Sequence, residues 1–196
     1  MEKTVASEIM DHDKMARAIT RIAHEILERN GGPQSLVIVG IITRGADLAA
    51  RLAQTIETIE GVKIPLGLMD INLYRDDVNF NPDQPVVRRT DILFEIDGKN
   101  LILVDDVLYT GRTIRAALSQ LIDFGRPRTV QLAVLIDRGH RQLPIRADYV
   151  GKNIPTRFED TVSVHFAERD GIDEVLLLPA ASEKPKSGKK TRGEKR

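Results

Sequence analysis

The sequence predicts an α/β fold: a mainly parallel sheet with helices on both faces. Three observations predict it. Short, unbroken apolar runs recur at Leu36–Ile41, Leu101–Val104 and Val130–Ile136, as expected of strands buried on both sides. Segments with apolar residues at helical spacing lie between them. The two kinds alternate along the chain, which is the order of a parallel sheet with crossover helices.

From the start, His12–Arg29 carries Met15, Ile19, Ile22 and Ile26 at helical spacing, with Asp11 or Asp13 available as the cap and Gly31-Gly32-Pro33 as the stop. Leu36–Ile41 is the first buried strand, Thr43-Arg44-Gly45 a turn, and Ala46–Glu60 a helix burying Leu48, Leu52, Ile56 and Ile59. Ile64–Tyr74 and Asp91–Phe94 read as two strands joined by a polar excursion, Arg75 to Thr90, whose length marks it as functional or disordered. After the turn at Asp97-Gly98, Leu101–Val104 leads into a helix over Thr113–Phe124. Val130–Ile136 is a further strand, and Tyr149-Val150 begins a short one. Val162–Phe166 with Val175–Leu178 suit a terminal hairpin around Asp170-Gly171.

An apolar fraction of 41% is enough for a core, so global disorder is excluded. The absence of Cys excludes disulfides, thiolate metal sites and cysteine nucleophiles. Met1–Asp13 lacks a signal-peptide core, and the longest apolar stretch, around Leu36–Ile42, is far short of the roughly 20 residues of a membrane span. A soluble cytoplasmic protein is expected. The formal charge of zero hides an asymmetry: seven bases and two acids in Ser182–Arg196 make the tail +5 and leave −5 on the rest. With no apolar residue after Ala181, the tail cannot bury surface. The division expected is one domain over 1–180 and a basic, disordered tail over 181–196, either a solubilising appendage or a contact for nucleic acid.

The most informative segment runs from Leu101 to Thr113. Its apolar residues lead to the carboxyl end of the sheet, where open α/β folds place ligands. Asp105 and Asp106 follow, then Val107, Leu108 and Tyr109, and Thr110-Gly111-Arg112-Thr113 opens a helix. A helix N-terminus offers N–H groups and a positive dipole end to a phosphate. Gly111 allows close backbone approach, and the two threonines add hydroxyls. No Gly-Lys-Ser/Thr follows at Walker spacing. Two carboxylates ahead of such a cradle can cap the helix, or can accept from vicinal hydroxyls one phosphate-reach away. The whole run favours the second reading, which describes a ribose 5-phosphate.

That segment resembles the phosphoribosyl-pyrophosphate motif of type I phosphoribosyltransferases. Gly40–Ala46, Leu73–Asp77, Asp137–Arg141 and Ile145–Thr156 extend the resemblance to the PyrR family, bifunctional RNA-binding attenuators and uracil phosphoribosyltransferases, over roughly residues 9 to 178. The resemblance implies that Asp105 and Asp106 hold the ribose hydroxyls and that Val107 to Thr113 lie around the 5-phosphate. Thr43, Arg44 and Gly45 would form a pyrophosphate loop with a strained peptide between its first two residues. The excursion after Tyr74 would close over the substrate, with Arg75, Arg88 and Arg89 either neutralising pyrophosphate or solvated. Mg2+ would arrive with the phosphates and ribose, with no metal held by the protein alone.

Purine enzymes of this fold commonly carry an acid just before the Thr-Gly. Tyr109 stands there and is a poor base at neutral pH, which favours a pyrimidine. Base recognition would fall to Asp137 and Arg138, with Tyr149 and Val150. Two basic groups, Thr20, Arg21 and His24 beside Arg17 on the first helix, and His140, Arg141, Arg146 and Lys152, are solvated surface on physical grounds alone or, by the resemblance, an RNA face. The implied partners are uracil, phosphoribosyl pyrophosphate, UMP or UTP, and a pyrimidine-operon leader mRNA, with no membrane and a homo-oligomeric state. A nucleotide sensor without catalysis and a salvage enzyme without RNA binding are the rival readings.

Overall fold

The computed structural model describes residues 6–71 and 90–180. The proposed closing segment, with Tyr74, Arg75, Arg88 and Arg89, and the basic tail lie outside the described residues.

The main sheet has five parallel strands in the order β3-β2-β4-β5-β6, formed by β2 (Leu36–Ile41), β3 (Leu66–Met69), β4 (Asn100–Leu108), β5 (Thr129–Asp137) and β6 (Tyr149–Asn153). Alternation along each strand splits its side chains between two cores. Leu36, Ile38, Ile102, Val104, Ala133 and Leu135 face one, with Ile22 and Ile26 of α1 (His12–Asn30) and Leu52 and Ile56 of α2 (Arg44–Glu60). Val37, Val39, Leu101, Leu103, Leu132 and Val134 face the other, under Ile114, Ala117 and Leu121 of α3 (Arg112–Leu121). The expected coverage of both faces is therefore present. Of the two candidate caps of α1, Asp11 is the one used: its Oδ1 accepts from Lys14 N at 2.8 Å.

A second sheet, antiparallel in the order β1-β8-β7, joins β1 (Ser7–Met10), β7 (Thr161–His165) and β8 (Glu174–Leu178). The expected hairpin is there, with a short helix, α4 (Ala167–Asp170), inserted before Gly171. Asp91–Phe94 is not a strand. Only Asp91 pairs, in an isolated antiparallel bridge to Leu68, because the chain then turns to pack Ile92 and Phe94 on the α3-side core.

Candidate active site and nucleic-acid interface

β4 is central, and its pairing with β5 continues past the acid pair to Leu108 opposite Asp137. This extension carries Asp105 and Asp106 to the carboxyl edge of the sheet. Asp105 is 7% exposed, and its Oδ1 accepts from Asp106 N at 3.0 Å. Burial pushes the Asp106 carboxyl above its ordinary value, against the opposing pull of Asp105, the backbone at Asp106 and Val107, and the nearby Arg44 charge.

The following turn is bracketed from outside. The Leu108 carbonyl accepts from Arg138 N at 3.1 Å, the Tyr109 carbonyl from Arg141 Nη1 at 2.8 Å, and the Thr110 carbonyl from Gln142 N at 3.0 Å. In a trans peptide the N–H points opposite to the preceding C=O. Three consecutive carbonyls drawn outward therefore turn the N–H groups of Tyr109, Thr110 and Gly111 to the other side. Gly111 itself has φ 91° at the start of α3, and a Cβ there would meet Ile145 Cδ1 at 3.3 Å. The Gly111 cap brings no side chain of its own, and Thr110 Oγ1 takes the Arg112 N–H only at 3.5 Å, so a phosphate can compete for this helix start.

Thr43, Arg44 and Gly45 are brought against the same edge. A Cβ on Gly45 would lie 2.7 Å from the Val104 carbonyl and 2.9 Å from Asp105 Cα, so only glycine lets α2 start this close to β4. A Cβ on Gly40 would similarly meet Ala46 Cα at 2.7 Å. The non-proline cis peptide of this turn lies between Ile42 and Thr43, one bond earlier than the resemblance implies. Arg44 Nη2 pairs with Asp170 Oδ1 at 3.0 Å, while its Nε is buried without a hydrogen-bond partner.

Beside the turn, a cleft of about 430 Å³ opens at the carboxyl ends of β5 and β6, lined by Asp137–His140 and Asn153–Thr156. Tyr109 packs against two of its lining residues, Arg138 and His140. Its ring lies 4.1 Å from the Arg138 guanidinium and packs with His140 and Phe158, and its hydroxyl donates to the Phe158 carbonyl at 2.7 Å. His140, at φ 61°, has Nε2 at 2.8 Å from the Thr156 carbonyl, a contact in which the ring nitrogen donates. Arg138 is 6% exposed and donates to the carbonyls of Asp160 at 2.6 Å and Arg157 at 2.7 Å.

A model of the phosphoribosyl transferase domain matches residues 5–169. The protein called Bifunctional protein PyrR from Pelotomaculum thermopropionicum is 57% identical over 175 residues, 89% of this chain and 97% of its own length. One of the same name from a Roseiflexus species is 58% identical over 172 residues, 87% and 94% of the two chains. The chain belongs to the PyrR family. Its fold is that of a type I phosphoribosyltransferase. The hypoxanthine phosphoribosyltransferase of Trypanosoma cruzi superposes with a TM-score of 0.67 at 18% identity over 89% of this chain and 97% of that one, a likeness of fold alone.

Several residues that the PyrR resemblance picks out sit differently from expectation. Tyr149 and Val150 are not in the cleft. The segment from Arg138 to Asp148 returns to the amino side of the sheet without a helix, so β6 begins there with Tyr149 beside Ala133. The Tyr149 hydroxyl then donates to Gln131 near the start of β5. His140 and Thr156 take the places at the cleft, and the Asp137-Arg138-Gly139 turn was the signal that pointed towards them.

The expected RNA residues divide as well. Arg141 is committed to the bracket: besides the Tyr109 carbonyl it holds the Ile145 carbonyl at 3.0 Å and pairs with Asp137. His140 lies in the cleft. Thr20 returns its hydroxyl to the Ala16 carbonyl at 2.9 Å, while His24 and Arg146 are exposed. Arg21 Nη2 holds the carbonyls of Val150 at 2.9 Å and Gly151 at 2.8 Å, and Lys152 Nζ holds that of Ile9 at 3.1 Å. Both line a groove of about 320 Å³ with Lys14 and Arg17. Lys14, which sequence reasoning missed, was legible: positions 14, 17 and 21 fall at i, i+3 and i+7 on one helix face.

Proposed function

We propose that this chain makes UMP and pyrophosphate from uracil and phosphoribosyl pyrophosphate, and that it binds a pyrimidine-gene leader transcript under the control of uridine nucleotides. The observation that carries the enzymatic half is the acid pair at the end of the central strand, followed by a turn whose three carbonyls are drawn outward. In the reaction, uracil N1 bonds to the anomeric carbon as the bond to the pyrophosphate oxygen breaks; that electron pair leaves with pyrophosphate, and the N1 proton is released to water. Asp105 and Asp106 hold the ribose hydroxyls, and Tyr109 to Thr113 hold the 5-phosphate. Thr43 to Gly45 receive the leaving group, and the cleft at Asp137 and Arg138 receives the base. Catalysis of this kind rests on holding the reactants in attacking geometry.

The Tyr109 hydroxyl is used as a donor to Phe158, so it offers no base to a purine. The oxygen-only pair Asp105 and Asp106 suits Mg2+, a hard cation that enters with phosphates and binds through few carboxylates. Such an ion would neutralise the pyrophosphate as charge develops on it. The closeness of the Arg44 turn to Asp105 favours an enzyme over a sensor of UMP, which needs no pyrophosphate loop. The groove along α1 and β6 supports phosphate attraction by RNA through Lys14, Arg17, Arg21 and Lys152. Residues 181–196 form a separate basic appendage in this reading, and the protein works as a homo-oligomer. Among the described residues no helix is long and apolar enough to cross a membrane.

The test is uracil-dependent release of pyrophosphate, run beside leader-RNA titration with and without UMP. Release together with RNA binding that UMP tightens supports both halves. Release without RNA binding leaves the salvage enzyme, and no release removes the enzymatic assignment.

A further inference from the structure

α4 contacts α2 through charges that alternate in sign on both partners. Arg44, Asp47 and Arg51 lie at i, i+3 and i+7, one face of α2. Facing them in reverse order are Asp170, Arg169 and Glu168. Arg44 Nη2 pairs with Asp170 Oδ1 at 3.0 Å. Asp47 Oδ2 accepts from Arg169 Nε at 2.8 Å and Oδ1 from Nη2 at 3.2 Å. Arg51 donates to both oxygens of Glu168, at 2.9 and 2.6 Å, and to both of Asp173, at 2.6 and 3.0 Å.

A slip of α4 by one residue in either direction would place like charges opposite each other, so this pattern specifies a single register. The three pairs are partly exposed, so each contributes little to stability, and it is their alternation that acts on register. The outermost pair ends at the pyrophosphate loop. The second oxygen of Asp170 accepts from Phe166 N at 3.0 Å, which fixes the carboxylate before it meets the guanidinium. Arg44 then has one terminal nitrogen tethered to Asp170 and Nε buried without a partner, an arrangement that leaves a donor to be satisfied by an incoming anion.

We infer that Asp170 is a positioning residue for the pyrophosphate end of the donor substrate, holding Arg44 in the orientation that meets the leaving group. The inference rests on the reading of the Thr43-Arg44-Gly45 turn as a pyrophosphate loop. It makes the small antiparallel sheet part of the catalytic apparatus, because α4 belongs to that sheet's connection. UMP carries no pyrophosphate, so its binding does not depend on this contact.

The experiment compares the unsubstituted full chain with D170N, measuring KM for phosphoribosyl pyrophosphate, inhibition by pyrophosphate, and UMP affinity by titration. D170N should raise the first two constants roughly tenfold, the scale of a modest loss of orientation, and should leave UMP affinity within about twofold. In an R44A background, D170N should add nothing to KM. A purely structural role predicts weaker UMP binding as well and a further rise in the R44A background, and either result overturns the inference. Should D170N fail to fold, the middle pair carries the test. D47R should raise KM for phosphoribosyl pyrophosphate, and D47R with R169D should restore it; no restoration overturns the inference. An unsubstituted protein without uracil-dependent activity removes the function reading and the inference with it. Normal activity with an indifferent D170N removes the inference alone.

Discussion

The two ends of the parallel sheet both bury polar groups, and they differ in one respect: the carboxyl end, where buried Arg138 is held by carbonyls, also leaves Arg44 Nε without a partner. At the amino end, Gln131 is 6% exposed and fully occupied: its amide oxygen accepts from Tyr149 and from Asn30 Nδ2 at 3.1 Å, and its nitrogen donates to Asn30 Oδ1 at 2.9 Å. Arg29 pairs with Asp148 at 2.7 Å, and the other Asp148 oxygen accepts from Leu132 N at 2.8 Å. At the carboxyl end, Arg44 Nε has no partner and burial raises the Asp106 pKa. One further orphan among the described residues, Gln120 Oε1, lies where the chain passes out of the described region near Thr90. A buried polar network stabilises a fold when it is complete. An incomplete one costs stability that a ligand can return, and this difference separates structure from site.

The largest expected effect comes from removing the acids. D105N with D106N should lower turnover by roughly a thousandfold or more, because the ribose loses the groups that orient it. Near-normal turnover with uracil would dissolve the contrast between the two ends. Base choice should follow: kcat/KM for uracil should exceed that for hypoxanthine by roughly a hundredfold, since Tyr109 supplies no carboxylate. Equal use of both bases would reassign the cleft.

A structural charge cluster should behave differently from the site. Burial alone would raise Asp173, but Arg51, the Ala167 N–H and His12 hold its carboxyl at about 2. The unfolded value is about 3.9. The folded pKa is therefore depressed, and the stabilisation of about 2 kcal/mol is complete above pH ~4 and lost as pH falls towards 2. D173N should flatten that acid limb in a denaturation series, and an unchanged acid limb would remove Asp173 from the cluster's account. At the amino end, Y149F should lower stability by about 1 kcal/mol and leave KM for both substrates unaltered. A changed KM would bring the amino end into the site. The smallest effect expected is on RNA: R146Q should reduce the salt slope of leader binding by about 0.7 for one lost phosphate contact. An unchanged slope would take Arg146 off the RNA face.

Much of this was legible in the sequence. The apolar runs located β2, β4 and β5 because burial on both faces leaves them no polar alternation, and the Leu101–Thr113 run named the cradle. Less legible was whatever depends on distant pairing. β1 is four residues long and exists because it pairs with β8, with Ser7 opposite Leu177. The length of β4 was hidden because Asp105 and Asp106 end its apolar pattern while its ladder with β5 continues. Tyr149 was misplaced because a β5–β6 crossover without a helix leaves no periodic signal of its direction. Arg141 and Arg21 read as surface charge, and only their acceptors, backbone carbonyls far away in sequence, show them as braces.

The contrast between the two ends is tested most directly by the melting temperature of D106N without ligand. A raised folded pKa means that the ionised carboxylate costs stability, a cost that grows as pH rises from the unfolded value through the folded one. Asparagine carries no charge, so at neutral pH D106N should melt higher than the unsubstituted protein. A melting temperature that falls, as the complete network at the amino end predicts for Y149F, would show that Asp106 belongs to the structure and not to the site.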